Sequence, residues 1–143
     1  MDSKQKEMIR LLSKAFYLNK NIDALKLVLR MNKSLAKKCT ANYNNDGASK
    51  SISDKNGQED IIHQVIDLSN KINEQINEMI KSRNEIADLI SKSKVAEHLA
   101  ILSRRYLLYQ TMEQIADEMY YSSKTIQRKH KAAIEELVSL NVL

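Results

Sequence analysis

Thr111-Met112-Glu113-Gln114-Ile115-Ala116-Asp117-Glu118-Met119-Tyr120-Tyr121-Ser122-Ser123-Lys124-Thr125-Ile126-Gln127-Arg128-Lys129-His130-Lys131 carries the signals of two short helices joined by a tight turn. Thr111 stands three residues before Gln114, the spacing of a capping box, in which each side chain satisfies the other's free backbone amide. Ile115 and Met119 are then the inward residues of a short helix, and Ala116 is small where a second helix must cross closely. Ser122 is a natural N-cap for that second helix, whose buried face is Ile126, Ala133, Ile134 and Leu137. The intervening turn has no glycine, so Tyr120 or Tyr121 has to accept a left-handed or otherwise adapted backbone, at a cost on the order of 1 kcal/mol.

Working upstream, Val95, Leu99, Leu102 and Tyr106 define one face of a supporting helix over about 94–108. A three-helix unit, 94–143, follows from these signals. With its apolar face inside, the last helix (about 122–140) leaves Ser123, Lys124, Gln127, Arg128 and Lys131 pointing outward. Gln127 and Arg128 are the residue types that make two-pronged hydrogen bonds to adenine and guanine edges in the major groove. Lys124 and Lys131 suit phosphates, which fix register without reading sequence. Ser122, Ser123 and Thr125 lie at the helix N-terminus, where hydroxyls and free amides favour a phosphate, and Arg104 and Arg105 on the supporting helix are further phosphate candidates. An exposed lysine-rich helix with no partner would carry the same pattern, so the capping, the turn and the basic face are taken together.

The first 93 residues have a different texture. From Met8 the apolar positions Leu11, Ala15, Leu18, Ile22, Leu25 and Leu29 alternate steps of three and four, and Leu12, Phe16 and Val28 widen the stripe. This predicts a helix over about 3–38. Residues 40–57 are rich in Asn, Ser, Asp and Lys, hold both glycines of the chain, Gly47 and Gly57, and are expected to form a flexible loop. A second helix over about 58–92 carries Ile61, Val65, Leu68, Ile72, Ile76, Met79, Ile86 and Ile90, with Arg83 interrupting the row. Up to Gln58 the chain has twelve Lys/Arg against five Asp/Glu; from Glu59 to Ser93 it has four against seven. A basic and an acidic helix of similar length suit an antiparallel helical hairpin, 1–93. Two helices cannot cover both broad stripes, so they should pack on the C-terminal unit, on a second copy or on a partner protein, and a homodimer through these N-terminal helices is expected.

Composition sets the outer bounds. The 143 residues include no proline, and no segment alternates apolar and polar residues between turn signals, so the fold class expected is all-α. A net charge of +5 permits a polyanionic partner without requiring one. The single cysteine, Cys39, excludes an internal disulfide and suits a reducing compartment. No apolar run reaches the roughly 20 residues of a membrane span, and the N-terminus lacks a signal-peptide pattern; a cytoplasmic location without membrane contact is expected. His63, His98, His130 and Cys39 have no ligand spacing, and no phosphate-cradling glycine loop, nucleophile elbow or dinucleotide fingerprint occurs. No metal, cofactor or catalytic role is expected.

Arg105-Tyr106, Thr111 with Ile115-Ala116, Ser122 through Ile126, and His130-Lys131-Ala132-Ala133-Ile134-Glu135-Glu136-Leu137 resemble region 4 of sigma-70-type factors. The likeness is nearest to the small ArpU- and RinA-like late-operon activators of phages and prophages, and covers about the last 45 residues. It implies a helix-turn-helix that binds double-stranded DNA as a transcriptional regulator at a phage promoter, with host RNA polymerase as a further partner. No segment resembles the sigma region that melts promoters. An assembly protein, such as a phage terminase small-subunit-like oligomer, also combines such a unit with long helices and is the alternative.

Overall fold

The structure, a computed structural model, describes residues 2–45 and 52–140, with the side chains of 39–45 and 52–58 excepted. Among the described residues there are six α-helices and no strand: α1 (Ser3–Leu12), α2 (Lys14–Asn45), α3 (Ile52–Ile90), α4 (Ala96–Tyr106), α5 (Met112–Met119) and α6 (Ser123–Ser139). The all-α expectation holds. No helix is long and apolar enough to cross a membrane, among the described residues.

The helix expected over 3–38 is divided at Ser13. The Ser13 hydroxyl donates to the Ile9 carbonyl at 2.7 Å, and this bonding back to the preceding turn is a known cause of helix bending. Beyond the break, α2 continues to Asn45, and α3 begins at Ile52. Helical backbone therefore enters both ends of the segment expected as a loop, and 46–51 lie outside the described residues. Adding a polar residue to an existing helix costs little once the nucleus is formed, and no proline stops either end.

By packing, the chain divides into a unit of Met1–Leu18 with Glu78–Leu143 and a unit of Asn19–Asn77. This differs from a boundary at 93/94: the first unit takes α1 and the end of α3 into the core of α4–α6. Met8, Leu12 and Ala15 join Ile86, Leu89 and Ile90, and together they meet Leu102, Tyr106, Ala133, Ile134 and Leu137. A three-helix unit of about 50 residues has little interior of its own; these extra side chains enlarge it. Leu11, expected in the seam, is instead exposed, and Leu12 takes its place. Arg83 interrupts the apolar row for a reason: its Nη2 donates to the Tyr109 hydroxyl at 2.9 Å, with the guanidinium 5.5 Å from the ring centre. In the second unit, Ile22 of α2 and Ile72 of α3 are buried, and the Asn21 amide donates to Gln75 Oε1 at 2.5 Å.

Candidate nucleic-acid interface

The candidate surface is the outer side of α6, and three local devices position it. At the start of α5, Thr111 and Gln114 form the expected reciprocal box: the Gln114 amide donates to Thr111 Oγ1 at 3.2 Å and the Thr111 amide to Gln114 Oε1 at 2.9 Å. At its end, Tyr120 adopts the left-handed conformation (φ 60°, ψ 43°), and its amide and that of Tyr121 both reach the Ala116 carbonyl. Of the two tyrosines, Tyr120 is the one that carries the turn, with its side chain 93% exposed. Ser122 then caps α6 by accepting from the Thr125 amide at 3.2 Å.

Beneath the turn, Ile115, Ala116 and Ile126 pack with Ile101, while Met112 and Met119 cover them. Ile101 was not singled out from sequence; it neighbours Leu102 on the wide buried face of α4. Val95, expected on that face, is the exposed N-cap of α4 instead. Farther along α6, Ala133, Ile134 and Leu137 are fully buried. Between these two anchor points lies His130, whose Nε2 is 2.6 Å from the Tyr106 hydroxyl. Burial, assisted by the nearby Arg105 charge, depresses the His130 pKa to about 4, while burial raises Tyr106 to about 12. The imidazole is thus neutral near pH 7, the phenol donates, and Nε2 accepts.

Two polar clusters hold α6 against α4. Glu136 accepts from the Ser93 hydroxyl at 2.5 Å, the Lys94 amide at 2.9 Å and His98 Nδ1 at 2.8 Å, a carboxylate set before the N-terminus of α4. Burial raises the Glu136 pKa, but the hydrogen bonds from Ser93, His98 and the Lys94 amide outweigh it and hold the group below the usual range. The Lys129 ammonium pairs with Glu97, which also accepts from the Tyr121 hydroxyl at 2.7 Å. The Glu97 pKa is lowered by the bonds from Lys129 and Tyr121, and that of Lys129 is raised by Glu97. Lys129 therefore turns back toward the protein, 4.9 Å from the Tyr121 ring centre.

The sequence-derived site residues fall into three groups. Lys124, Gln127, Arg128 and Lys131 are exposed, and among the described residues none has a hydrogen bond or ion pair. Their spacing of three, four and seven puts them along one stripe of α6. Ser122 and Thr125 are engaged in the cap, and Ser123 beside them is half-buried. Arg104 and Arg105 are committed elsewhere: Arg104 pairs with Glu118, and Arg105 donates to the Gln110 carbonyl at 2.9 Å, closing the α4–α5 connection. Sequence reasoning missed the Glu97–Tyr121–Lys129 and Glu136 clusters, because their partners lie 24 to 43 residues apart and no local pattern links them. Among the described residues, no three His, Cys, Asp or Glu side chains converge on a metal-binding group.

A family model described as a protein of unknown function (DUF1492) matches residues 41–138. The chain belongs to that family. The matched span takes in the end of α2, all of α3, α4 and α5, and α6 up to its last residue, so it includes the exposed stripe. No curated protein and no solved structure matches this DUF1492 chain.

Proposed function

We propose that this protein is a sequence-specific DNA-binding transcriptional regulator, in which α5, the Tyr120 turn and α6 act as a helix-turn-helix and α6 enters the major groove of double-stranded DNA. The observation that carries the reading is the stripe Lys124, Gln127, Arg128 and Lys131: exposed, unpaired among the described residues, and opposite the buried row Ile126, Ala133, Ile134 and Leu137. Arg128 and Gln127 would read base edges, and Lys124 and Lys131 would contact phosphate. The Glu97 and Glu136 clusters brace α6 so that the stripe is held ready in the free protein. The resemblance to sigma region 4 and to phage late-operon activators supports a promoter as the site of action and host RNA polymerase as a partner.

In the same reading, the α2 and α3 portions of the second unit form an antiparallel hairpin. Their bonded positions Asn21 and Gln75 lie at one end, and only six residues separate Asn45 from Ile52 at the other. At 1.5 Å per residue both arms span about 35 Å, so the lengths match. Apolar side chains left exposed on this pair, Leu27 and Met31 among them, favour a second reading as a DNA-binding assembly subunit.

Selection of bound duplexes from a random pool tests the regulator reading. The wild-type protein is expected to enrich a defined site, and Arg128→Ala to lose discrimination at one base position, at a cost of about 1–3 kcal/mol, with its helix content unchanged. Equal enrichment profiles for the two proteins would refute base reading by Arg128.

A further inference from the structure

We infer that the second unit assembles head-to-tail with further copies of this chain, the α2 side of one hairpin seated on the α3 side of the next. The inference rests on the antiparallel pairing described above and is independent of DNA binding. Each helix contributes one covered row: Ile22, Leu25, Leu29, Asn32 and Ala36 on α2, and Ile61, Val65, Leu68, Ile72 and Gln75 on α3, all buried or half-buried. A residue directly before such a row position lies about 100° to one flank of the helix, and a residue directly after it lies about 100° to the other. Two antiparallel helices wind in opposite senses when viewed from one end. Their "before" flanks therefore share one side of the pair, and their "after" flanks share the opposite side.

The two sides are differently built. On the "before" side, α2 presents Val28, Met31 and Leu35, between 44% and 59% exposed. Beside them α3 presents Asp60, Asp67 and Glu74, all exposed. On the "after" side the chemistry is exchanged: α2 presents the exposed cations Lys26, Arg30, Lys33 and Lys37, while α3 presents Ile62 and Ile66, 45% and 50% exposed. Lys71 and Asp23 are the exceptions, one on each side, and they dilute the difference without reversing it.

When the first side of one copy meets the second side of another, with α2 over α3 and α3 over α2, both chemistries are satisfied. The Val28–Met31–Leu35 strip meets the Ile62–Ile66 strip, and the acidic row meets the basic row. Like sides cannot do this: a two-fold contact through either one sets acid against acid or base against base, or lays an apolar strip on a charged one. A contact between two different surfaces is heterologous, and the exchange of α2 and α3 turns each copy about half a turn around the stacking direction, so copies joined this way add progressively. A second copy of this chain is thus the occupant that fits.

Sedimentation of the full chain over a range of concentrations, with three charge variants, tests the inference. Wild type is expected to exceed twice the 16.5 kDa protomer mass. Reversal of the basic row (Lys26→Glu, Arg30→Glu, Lys33→Glu) or of the acidic row (Asp60→Lys, Asp67→Lys, Glu74→Lys) should each give monomer. An equimolar mixture of the two should assemble again, because each then offers the other a complementary side. Pairing within one chain cannot produce that recovery. The milder Met31→Ser, at an exposed position, should weaken assembly at least several-fold with unchanged circular dichroism. The inference is overturned by a wild-type protein that stays monomeric or stops at a dimer, by single reversals that still assemble, or by a mixture that does not recover.

Discussion

Acidification should loosen α6 through one residue, His130. Its side chain is buried, and its pKa is lowered to about 4, against about 6.5 in an unfolded chain. A histidine with a depressed folded-state value binds its proton more readily when unfolded. Its contribution is fully present above pH 6.5, falls as the pH drops from 6.5 to 4, and is constant below that. Between pH 7 and pH 5 the loss is about 2 kcal/mol, out of about 3 kcal/mol for the whole shift. For a chain near this length, 1 kcal/mol moves the melting temperature by about 4 °C, so the drop is about 8 °C. Protonation also converts Nε2 from acceptor to donor, opposing the proton of the Tyr106 hydroxyl 2.6 Å away. The assay is thermal melting followed by circular dichroism at pH 5, 6 and 7, on wild type and on His130→Gln, whose amide can still accept from Tyr106 but does not titrate. Carboxylates with lowered pKa, such as Glu136, lose their contribution only as the pH falls through the carboxylate range, and they are common to both proteins. The variant should lack about 8 °C of the pH 7 to pH 5 drop. Parallel melting curves for the two proteins across that range would refute the argument.

Other expectations follow from single positions. Tyr120→Gly removes a left-handed tyrosine whose side chain touches little, and should stabilise the fold by about 1 kcal/mol relative to Tyr120→Ala, measured by urea denaturation; equal stability of the two variants would contradict the turn geometry. Glu136→Ala deletes the acceptor shared by Ser93, Lys94 and His98 and should cost roughly 1–2 kcal/mol, with faster amide exchange at Lys94; an unchanged denaturation midpoint would show that the cluster contributes nothing. Ile134→Ala, at a fully buried site, should cost about 2–5 kcal/mol in the same experiment, and a loss below 1 kcal/mol would place that face of α6 outside the core.

What could be read from the sequence was what is encoded within a few residues. The Thr111–Gln114 box, the Ser122 cap and the row Ile126, Ala133, Ile134 and Leu137 depend on spacing along one helix, and each is found where the spacing puts it. Four exposed members of the candidate site, Lys124, Gln127, Arg128 and Lys131, follow from that row by subtraction. Arg104 and Arg105 did not, because what engages them, Glu118 and the Gln110 carbonyl, is set by how α4 meets α5. The break between α1 and α2 at Ser13 was hidden for a similar reason. A serine inside an apolar row carries no strong breaking signal, and α1 is recruited to α6 by tertiary packing rather than by its own pattern. Helix ends at Asn45 and Ile52 were underestimated because composition weighs polar residues against burial, whereas helix extension needs no burial once a long neighbour is formed.

If α6 contacts a duplex through Lys124 and Lys131, binding must depend on salt through those two charges. Affinity of the full chain for a selected duplex, measured by fluorescence anisotropy from about 50 to 200 mM salt, should fall linearly on logarithmic axes. Lys124→Ala and Lys131→Ala should each reduce the slope by about 0.9, the release of counterions from one phosphate contact, while Glu135→Ala on the same helix leaves it unchanged. No duplex binding at the lowest salt, or identical slopes in all four proteins, would contradict the assignment of the exposed α6 stripe to DNA.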